Sequence, residues 1–94
     1  MARAIFNGMV IAESDRFETV DGNIYFPPEA LRREYFLPTD HSTVCGWKGT
    51  ANYYTVAVRG EQAENAAWTY RMPKEAAANI KDFIAFYPTV TVEP

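Results

Sequence analysis

The sequence is poor in the residues from which disulfides and metal sites are built. It has one cysteine, Cys45, and one histidine, His41, among 94 residues. One cysteine cannot form an internal disulfide, and one cysteine with one histidine cannot supply the four ligands of a structural zinc site. The Asp and Glu residues are scattered along the chain and offer no carboxylate cluster. We therefore expect no bound metal and no cofactor.

Long basic or apolar runs are also missing. The densest basic stretch is Arg32-Arg33 and the net charge is −3, which disfavours nucleic-acid binding. No stretch approaches the roughly 18 consecutive apolar residues of a membrane span. The first residues, MARAIFNGMVIAES, contain one basic residue and only short apolar stretches, unlike a signal or transit peptide. The sequence favours a cytoplasmic protein with neither a nucleic-acid nor a membrane partner.

Aromatic and apolar residues, by contrast, are abundant. Hydrophobic residues make up 48% of the chain and aromatic residues 15%. A chain of this length can bury one modest core, so we expect a single domain over residues 1–94. Aromatic rings bury large areas and can also line a binding pocket.

Two turn dipeptides predict β-hairpins near the N-terminus. Asn7-Gly8 and Asp21-Gly22 each lie between β-prone runs, and these residues tolerate the positive φ angles that a two-residue hairpin loop requires. The predicted cross-strand pairs are Phe6 with Met9, Ile5 with Val10, Thr19 with Ile24, and Phe17 with Phe26.

The remaining segments predict a mostly β fold. Pro27-Pro28 ends the second hairpin and begins a short helical turn, because proline cannot donate to a strand ladder. Residues 36–43 are interpreted as a loop, residues 63–70 as a strand, and residues 74–80 as a short helix followed by extended chain. The predicted architecture is seven or eight short strands in antiparallel hairpins with one or two short helical turns.

The segment STVCGWKGTANYYTV, residues 42–56, has the richest chemistry. Strands at residues 43–48 and 53–59, joined by the loop GTAN, would pair Lys48 with Tyr53. This register places Cys45, Trp47, Tyr54 and Val56 on one face of the hairpin, and Lys48 and Tyr53 on the other.

The predicted register assigns a character to each reactive side chain. Cys45 is expected to be buried and inert beside Trp47, and a catalytic pair with His41 would need the preceding loop to fold back. Lys48 has no acidic neighbour in the sequence, so we expect its charge to be free for an anionic ligand. Desolvation among tyrosines would lower its pKa. Trp47 and Trp68 are both expected to be core residues.

The motifs NIYFPPEAL, STVCGWKGTANYY, NAAWTYRMP and IKDFIAFYPTVTVE together resemble a known family. This is the bacterial and fungal domain of unknown function 427, and the resemblance covers nearly the whole chain. It implies a compact, strongly bent antiparallel sheet of the β-tent type. Many tent-like proteins use a zinc clamp, whose ligands are missing here. The family is sometimes labelled nucleotidyltransferase, although the sequence has no Gly-Ser with paired acidic ligands and no phosphate-cradling glycine loop.

Three functions remain open. The first is binding of a flat or anionic small molecule in an aromatic-lined pocket beside Lys48. The second is a small enzyme, either nucleotidyltransferase-like as the family label has it, or using Lys48 or Cys45 as nucleophile. The third is a protein-interaction or homodimerisation module, so the chain would be a monomer or a homodimer. With the family's characteristic surface included, the predicted ligand-binding residues are Lys48, Tyr53, Trp47, Tyr54, Trp68, Tyr70, Tyr25 and His41.

Overall fold

Short strands joined by tight turns account for most of the chain. A computed structural model describes residues 1–94 and shows nine strands with three 3-10 helices. The helices are Pro28–Ala30, Arg33–Tyr35 and Glu75–Ile80. The strands are β1 (Ala2–Phe6), β2 (Met9–Ser14), β3 (Glu18–Val20), β4 (Asn23–Tyr25), β5 (Phe36–Cys45), β6 (Gly49–Val58), β7 (Glu61–Thr69), β8 (Ile84–Phe86) and β9 (Thr91–Glu93).

The strands form three antiparallel sheets. Their strand orders are β2-β1-β9, β3-β4 and β5-β6-β7-β8. The predicted mostly β fold of bent antiparallel hairpins is confirmed, with nine strands instead of seven or eight. A helical segment follows Lys74 as expected, although it is a 3-10 helix with a kink at Ala77. None of the helices has both the length and the apolar character that a bilayer crossing requires.

The two N-terminal hairpins form at the predicted turns. Asn7 and Asp21 have φ angles of 49° and 54°, the left-handed conformation that two-residue hairpin loops need. Three of the four predicted pairs are present: Phe6 with Met9, Ile5 with Val10, and Thr19 with Ile24.

The fourth predicted pair, Phe17 with Phe26, is wrong. The second hairpin ends at the pair of Glu18 and Tyr25. Both backbone groups of Phe26 instead bond Ile84 at N···O distances of 2.8 Å. The contact with β8 therefore stops the hairpin from extending and joins its end to the largest sheet.

Residues 36–43 form a strand, which corrects the loop expected there. β5 lies at the edge of the four-stranded sheet, where proline can occur because one side of the strand has no ladder to complete. A bulge interrupts its pairing between Pro38 and Ser42. Inside the bulge the Thr39 hydroxyl donates to Asn65 Oδ1 at 2.7 Å and accepts from the His41 amide at 3.2 Å.

The register of the central hairpin also differs from the predicted one. Its loop is residues 46–48, and Cys45 pairs with Gly49. Tyr53 pairs with Trp68 of β7 and not with Lys48, which lies in the loop. Gly49 has a φ of 111°, a conformation that side chains rarely adopt. Glycine at this position therefore closes the turn three residues earlier than expected.

The four-stranded sheet separates two hydrophobic cores. Successive residues of a strand point to opposite faces, so Tyr54 and Val56 contact the larger core while Tyr53 contacts the smaller one. The larger core fills the space between this sheet and β1-β2. The smaller core consists of Tyr25, Ala51, Tyr53, Tyr70, Ala77, Ile80 and Ala85.

Only one of the two tryptophans packs against a core, which corrects the expectation that both are core residues. Trp47 is 44% exposed in the loop after β5, so Trp47→Ala should lower the free energy of unfolding by no more than about 1 kcal/mol. Trp68 packs against the smaller core and donates its indole N–H to Tyr25 Oη at 3.1 Å. Trp68→Ala should lower it by about 3 kcal/mol. Urea denaturation of both variants measures the difference, and equal losses would contradict this assignment.

Candidate functional site

One face of the four-stranded sheet collects most of the aromatic and polar side chains. The β3-β4 hairpin and the helix Glu75–Ile80 cover part of this face through the smaller core. We call it the aromatic face and define it by Thr43 and Cys45 of β5, Tyr53 of β6, Trp68 of β7, Tyr70 directly after β7, and Tyr87 directly after β8.

The rings of this face form a continuous series of contacts. His41 lies 4.5 Å from Tyr53, and Tyr53 stacks on Tyr87 at 6.3 Å with 13° between the ring planes. Tyr87 lies 4.8 Å from Trp68, which meets Tyr25 edge-on at 6.2 Å. Tyr25 and Tyr53 are buried, whereas Tyr87 is 44% exposed and His41 is exposed. The series therefore runs from solvent into the smaller core.

Hydroxyl groups connect these rings. Tyr53 Oη lies 2.9 Å from Thr43 Oγ1 and 3.4 Å from Tyr87 Oη. The hydrogen bond with Tyr53, together with burial, raises the pKa of Tyr87. The face thus presents hydroxyl donors and acceptors beside stacked rings.

Lys48 has a counter-ion, which corrects the expectation of a free charge. Its side chain is buried and Nζ lies 2.8 Å from Asp21 Oδ2. Asp21 is the tip of the β3-β4 hairpin, 27 residues away in the chain. Nζ also lies 5.5 Å from the ring centroid of Tyr70 and 5.4 Å from that of Trp47.

The pKa of Lys48 is raised, not lowered as predicted. Burial alone would lower the pKa of this ammonium group, but the hydrogen bond that it donates to Asp21 and the neighbouring Tyr25 and Tyr70 outweigh burial. Lys48 therefore stays protonated at neutral pH, which counts against its use as an amine nucleophile.

The loop that carries Lys48 is fixed against a second segment. The Lys74 amide donates to Lys48 O at 2.9 Å, and Lys74 Nζ donates to Gly46 O at 2.6 Å. A Cβ atom on Gly49 would lie 3.4 Å from Met72 O. The two hydrogen bonds from Lys74 hold the loop and the end of β5 in place.

Cys45 is only half-buried and faces the smaller core, so its predicted burial beside Tyr54 and Val56 is wrong. The amides of Trp47 and Lys48 are the main causes of a lowered pKa of the thiol, burial opposes them, and the Lys48 charge adds to the lowering.

The structure brings together only some of the predicted site residues. Tyr25, Tyr53, Trp68, Tyr70 and His41 meet on or beside the aromatic face. Tyr54 lies on the opposite face, where its ring meets Phe36 edge-on, and Trp47 stands over Lys48 in the loop.

Three participating residues were missed by the sequence reasoning: Asp21, Thr43 and Tyr87. Tyr87 follows Ala85 by two residues and so shares its face, a signal that the strand period contains. The sequence identified Asp21 only as a turn residue and not as the partner of Lys48.

The aromatic face is shallow. The structure contains no cavity of ligand size, so the predicted pocket is instead an open surface. No group of three or more His, Cys, Asp and Glu side chains lies close enough to hold a metal ion.

Fold and site together define a small antiparallel β domain with one aromatic face. A family model described as a domain of unknown function (DUF427), and labelled NTP_transf_9, matches residues 1–93. The chain belongs to this family, which confirms the resemblance seen in the sequence motifs. A search of curated proteins finds no significant match.

The ion pair of Lys48 and Asp21 should respond asymmetrically to substitution. Asp21→Asn keeps a residue that tolerates the turn but leaves a buried ammonium group unpaired, so we expect a loss of about 1–3 kcal/mol in the free energy of unfolding. Lys48→Met leaves a half-exposed carboxylate that water can solvate, so we expect a loss below about 1 kcal/mol. Urea denaturation compares the variants, and an equal or larger loss in Lys48→Met would refute the asymmetry.

Alkaline pH should destabilise the fold through the aromatic face. Burial raises the pKa of Tyr70, and the hydrogen bond with Tyr53 raises that of Tyr87. Unfolded tyrosine titrates near pH 10. Above about pH 10 the unfolded chain therefore releases protons that the folded chain retains, and stability falls. Denaturation at pH 8, 10 and 11 should show this decline, and Tyr70→Phe with Tyr87→Phe should flatten it. A pH-independent stability would contradict the prediction.

Proposed function

We propose that the protein binds a small planar organic molecule on the aromatic face. The observation that carries this proposal is the series of contacting rings from exposed His41 and Tyr87 inward to buried Tyr53. Offset stacking on such rings favours flat π-systems. The hydroxyls of Tyr53 and Tyr87 lie close enough to each other to orient a polar group on the ligand.

The charge of the ligand follows from the state of Lys48. Because Asp21 already neutralises this ammonium group, an anionic ligand would have to displace the Asp21 carboxylate. The remaining polar groups at the open end are hydroxyls and one imidazole, which suit a neutral ligand carrying hydrogen-bond acceptors. We therefore favour a neutral planar molecule over an anionic one.

A cytoplasmic location is part of this proposal. Cys45 is a free thiol that is only half-buried. Reduced, accessible thiols persist in the cytosol and are rare in oxidising compartments. The location supports a ligand drawn from the cytosolic pool of small metabolites.

Nuclear magnetic resonance titration of the ¹⁵N-labelled protein tests the proposal. The probes are adenosine (planar and neutral), adenosine monophosphate (planar and anionic), and glucose as a non-planar control. We expect adenosine to shift the amide resonances around His41, Tyr53 and Tyr87, with adenosine monophosphate binding no more tightly. Tyr87→Ala should weaken adenosine binding at least about fivefold, since one stacked ring contributes about 1–3 kcal/mol. Met72→Ala, an 87% exposed residue outside the face, is the matched control.

Three outcomes would contradict the proposal. The first is the absence of shifts with both planar probes at millimolar concentration. The second is shifts that depend on protein concentration instead of probe, which would favour the homodimer. The third is release of pyrophosphate from ATP and Mg²⁺, which would favour the nucleotidyl transfer suggested by the family label.

A further inference from the structure

Two bulges lie side by side in the four-stranded sheet. In β5, residues 39–41 lie opposite the single residue Tyr53 of β6. In β7, residues 64–66 lie opposite the single residue Thr55 of β6. The strand β6 is therefore flanked by an insertion on each side at nearly the same level. Bulges are over-represented next to active sites, where they re-aim a side chain.

Side-chain hydrogen bonds join the two bulges across β6. The Thr39 hydroxyl donates to Asn65 Oδ1 at 2.7 Å and lies 3.4 Å from Tyr53 O. The Asn65 amide donates to Thr55 Oγ1 at 3.2 Å. Asn65 has a φ of 51°, a left-handed conformation that asparagine adopts more readily than most residues. The bond between Thr39 and Asn65 thus links β5 directly to β7.

The same hydroxyl restrains a second residue of the β5 bulge. It accepts a hydrogen bond from the His41 amide at 3.2 Å. The His41 ring lies 4.5 Å from the Tyr53 ring with 58° between the ring planes. His41 is exposed, and little packing restrains an exposed side chain. The bond at its amide therefore helps to decide where the imidazole lies.

We propose that Thr39 is a positioning residue for the planar-ligand site. Its hydroxyl, anchored on Asn65, holds the His41 imidazole against Tyr53 as one wall of that site. The inference rests on the proposed function, in which exposed His41 and Tyr87 are the rings that a ligand meets first. A wall that is already in place spares the ligand the entropy cost of ordering it.

This role differs from simple stabilisation of the sheet. Thr39 acts on the ligand only through His41, so a substitution of Thr39 should weaken binding only while the imidazole is present. A residue that merely stabilised the sheet would weaken binding whether or not the imidazole was there. The two roles therefore predict different results in a double-mutant cycle.

The first measurement needs no ligand. Nuclear Overhauser contacts between the ring protons of His41 and Tyr53 report where the imidazole lies in the free protein. We expect these contacts in the wild-type protein and in Thr39→Ser, which keeps the hydroxyl. We expect their loss in Thr39→Val, which has a similar shape without the hydroxyl. Persistence of the contacts in Thr39→Val would overturn the proposal.

The second measurement is the affinity for adenosine. Thr39→Val should weaken binding at least about threefold, the size expected when one hydrogen bond is lost, whereas Thr39→Ser should bind like the wild type. In a His41→Ala background, Thr39→Val should leave the affinity unchanged. Thr91→Val, which alters an exposed threonine of β9, is the matched control and should have no effect.

A second variant tests the same bond from its other end. Asn65→Gly tolerates the left-handed conformation but removes the acceptor for the Thr39 hydroxyl. We expect it to lose the ring contacts of His41 and to weaken adenosine binding as Thr39→Val does. Circular dichroism of each variant, recorded first, shows whether the fold is retained.

Two affinity results would overturn the proposal. One is an equal loss of affinity on Thr39→Val with and without His41, which would mean a structural role only. The other is an unchanged affinity in Thr39→Val. A failure of the proposed function has a different signature: no planar probe would bind the wild-type protein, while loss of the ring contacts in Thr39→Val would still support the restraint of His41 by Thr39.

Discussion

The pairing of Cys45 with Gly49 is the constraint on which the rest of the structure depends. It fixes the register of β5 on β6, and that register decides which side chains of both strands face each core. Gly49 closes the loop at a φ of 111°, a backbone conformation that residues with a side chain rarely adopt. One backbone position thus decides which side chains of these strands face the larger core and which face the smaller one.

The sequence predicted local features better than distant ones. The turns at Asn7 and Asp21 were predictable because two adjacent residues determine a two-residue hairpin loop. The loop 46–48 was not, since the hydrogen bonds that hold it come from Lys74, far along the chain. β5 was missed for a similar reason: Pro38 and its exposed neighbours resemble a loop until the strand is known to lie at an edge.

The candidate site was predicted in composition but not in arrangement. The motifs singled out Tyr53, Trp68 and Tyr70, which lie on one face of the sheet, and the two-residue period already placed Trp68 and Tyr70 together. The predicted register differs from the observed one by an odd number of residues. Such a shift moves a side chain to the opposite face of the sheet, so Cys45 was predicted on the face of Tyr54 and Val56 but lies on the other one. The partner of Lys48 could not be predicted at all, because the ion pair forms between elements 27 residues apart.

The bulge in β5 has a consequence for how molecules of this chain behave beside one another. An edge strand offers unpaired amide and carbonyl groups on which another chain can add as a strand. Here the interruption between Pro38 and Ser42 bends the edge, and Pro38 withholds one donor from it. The longest remaining straight stretch is Ser42–Cys45, which is too short to template an extended intermolecular sheet. The same irregularity that made the strand hard to recognise therefore makes this edge a poor template for edge-to-edge aggregation.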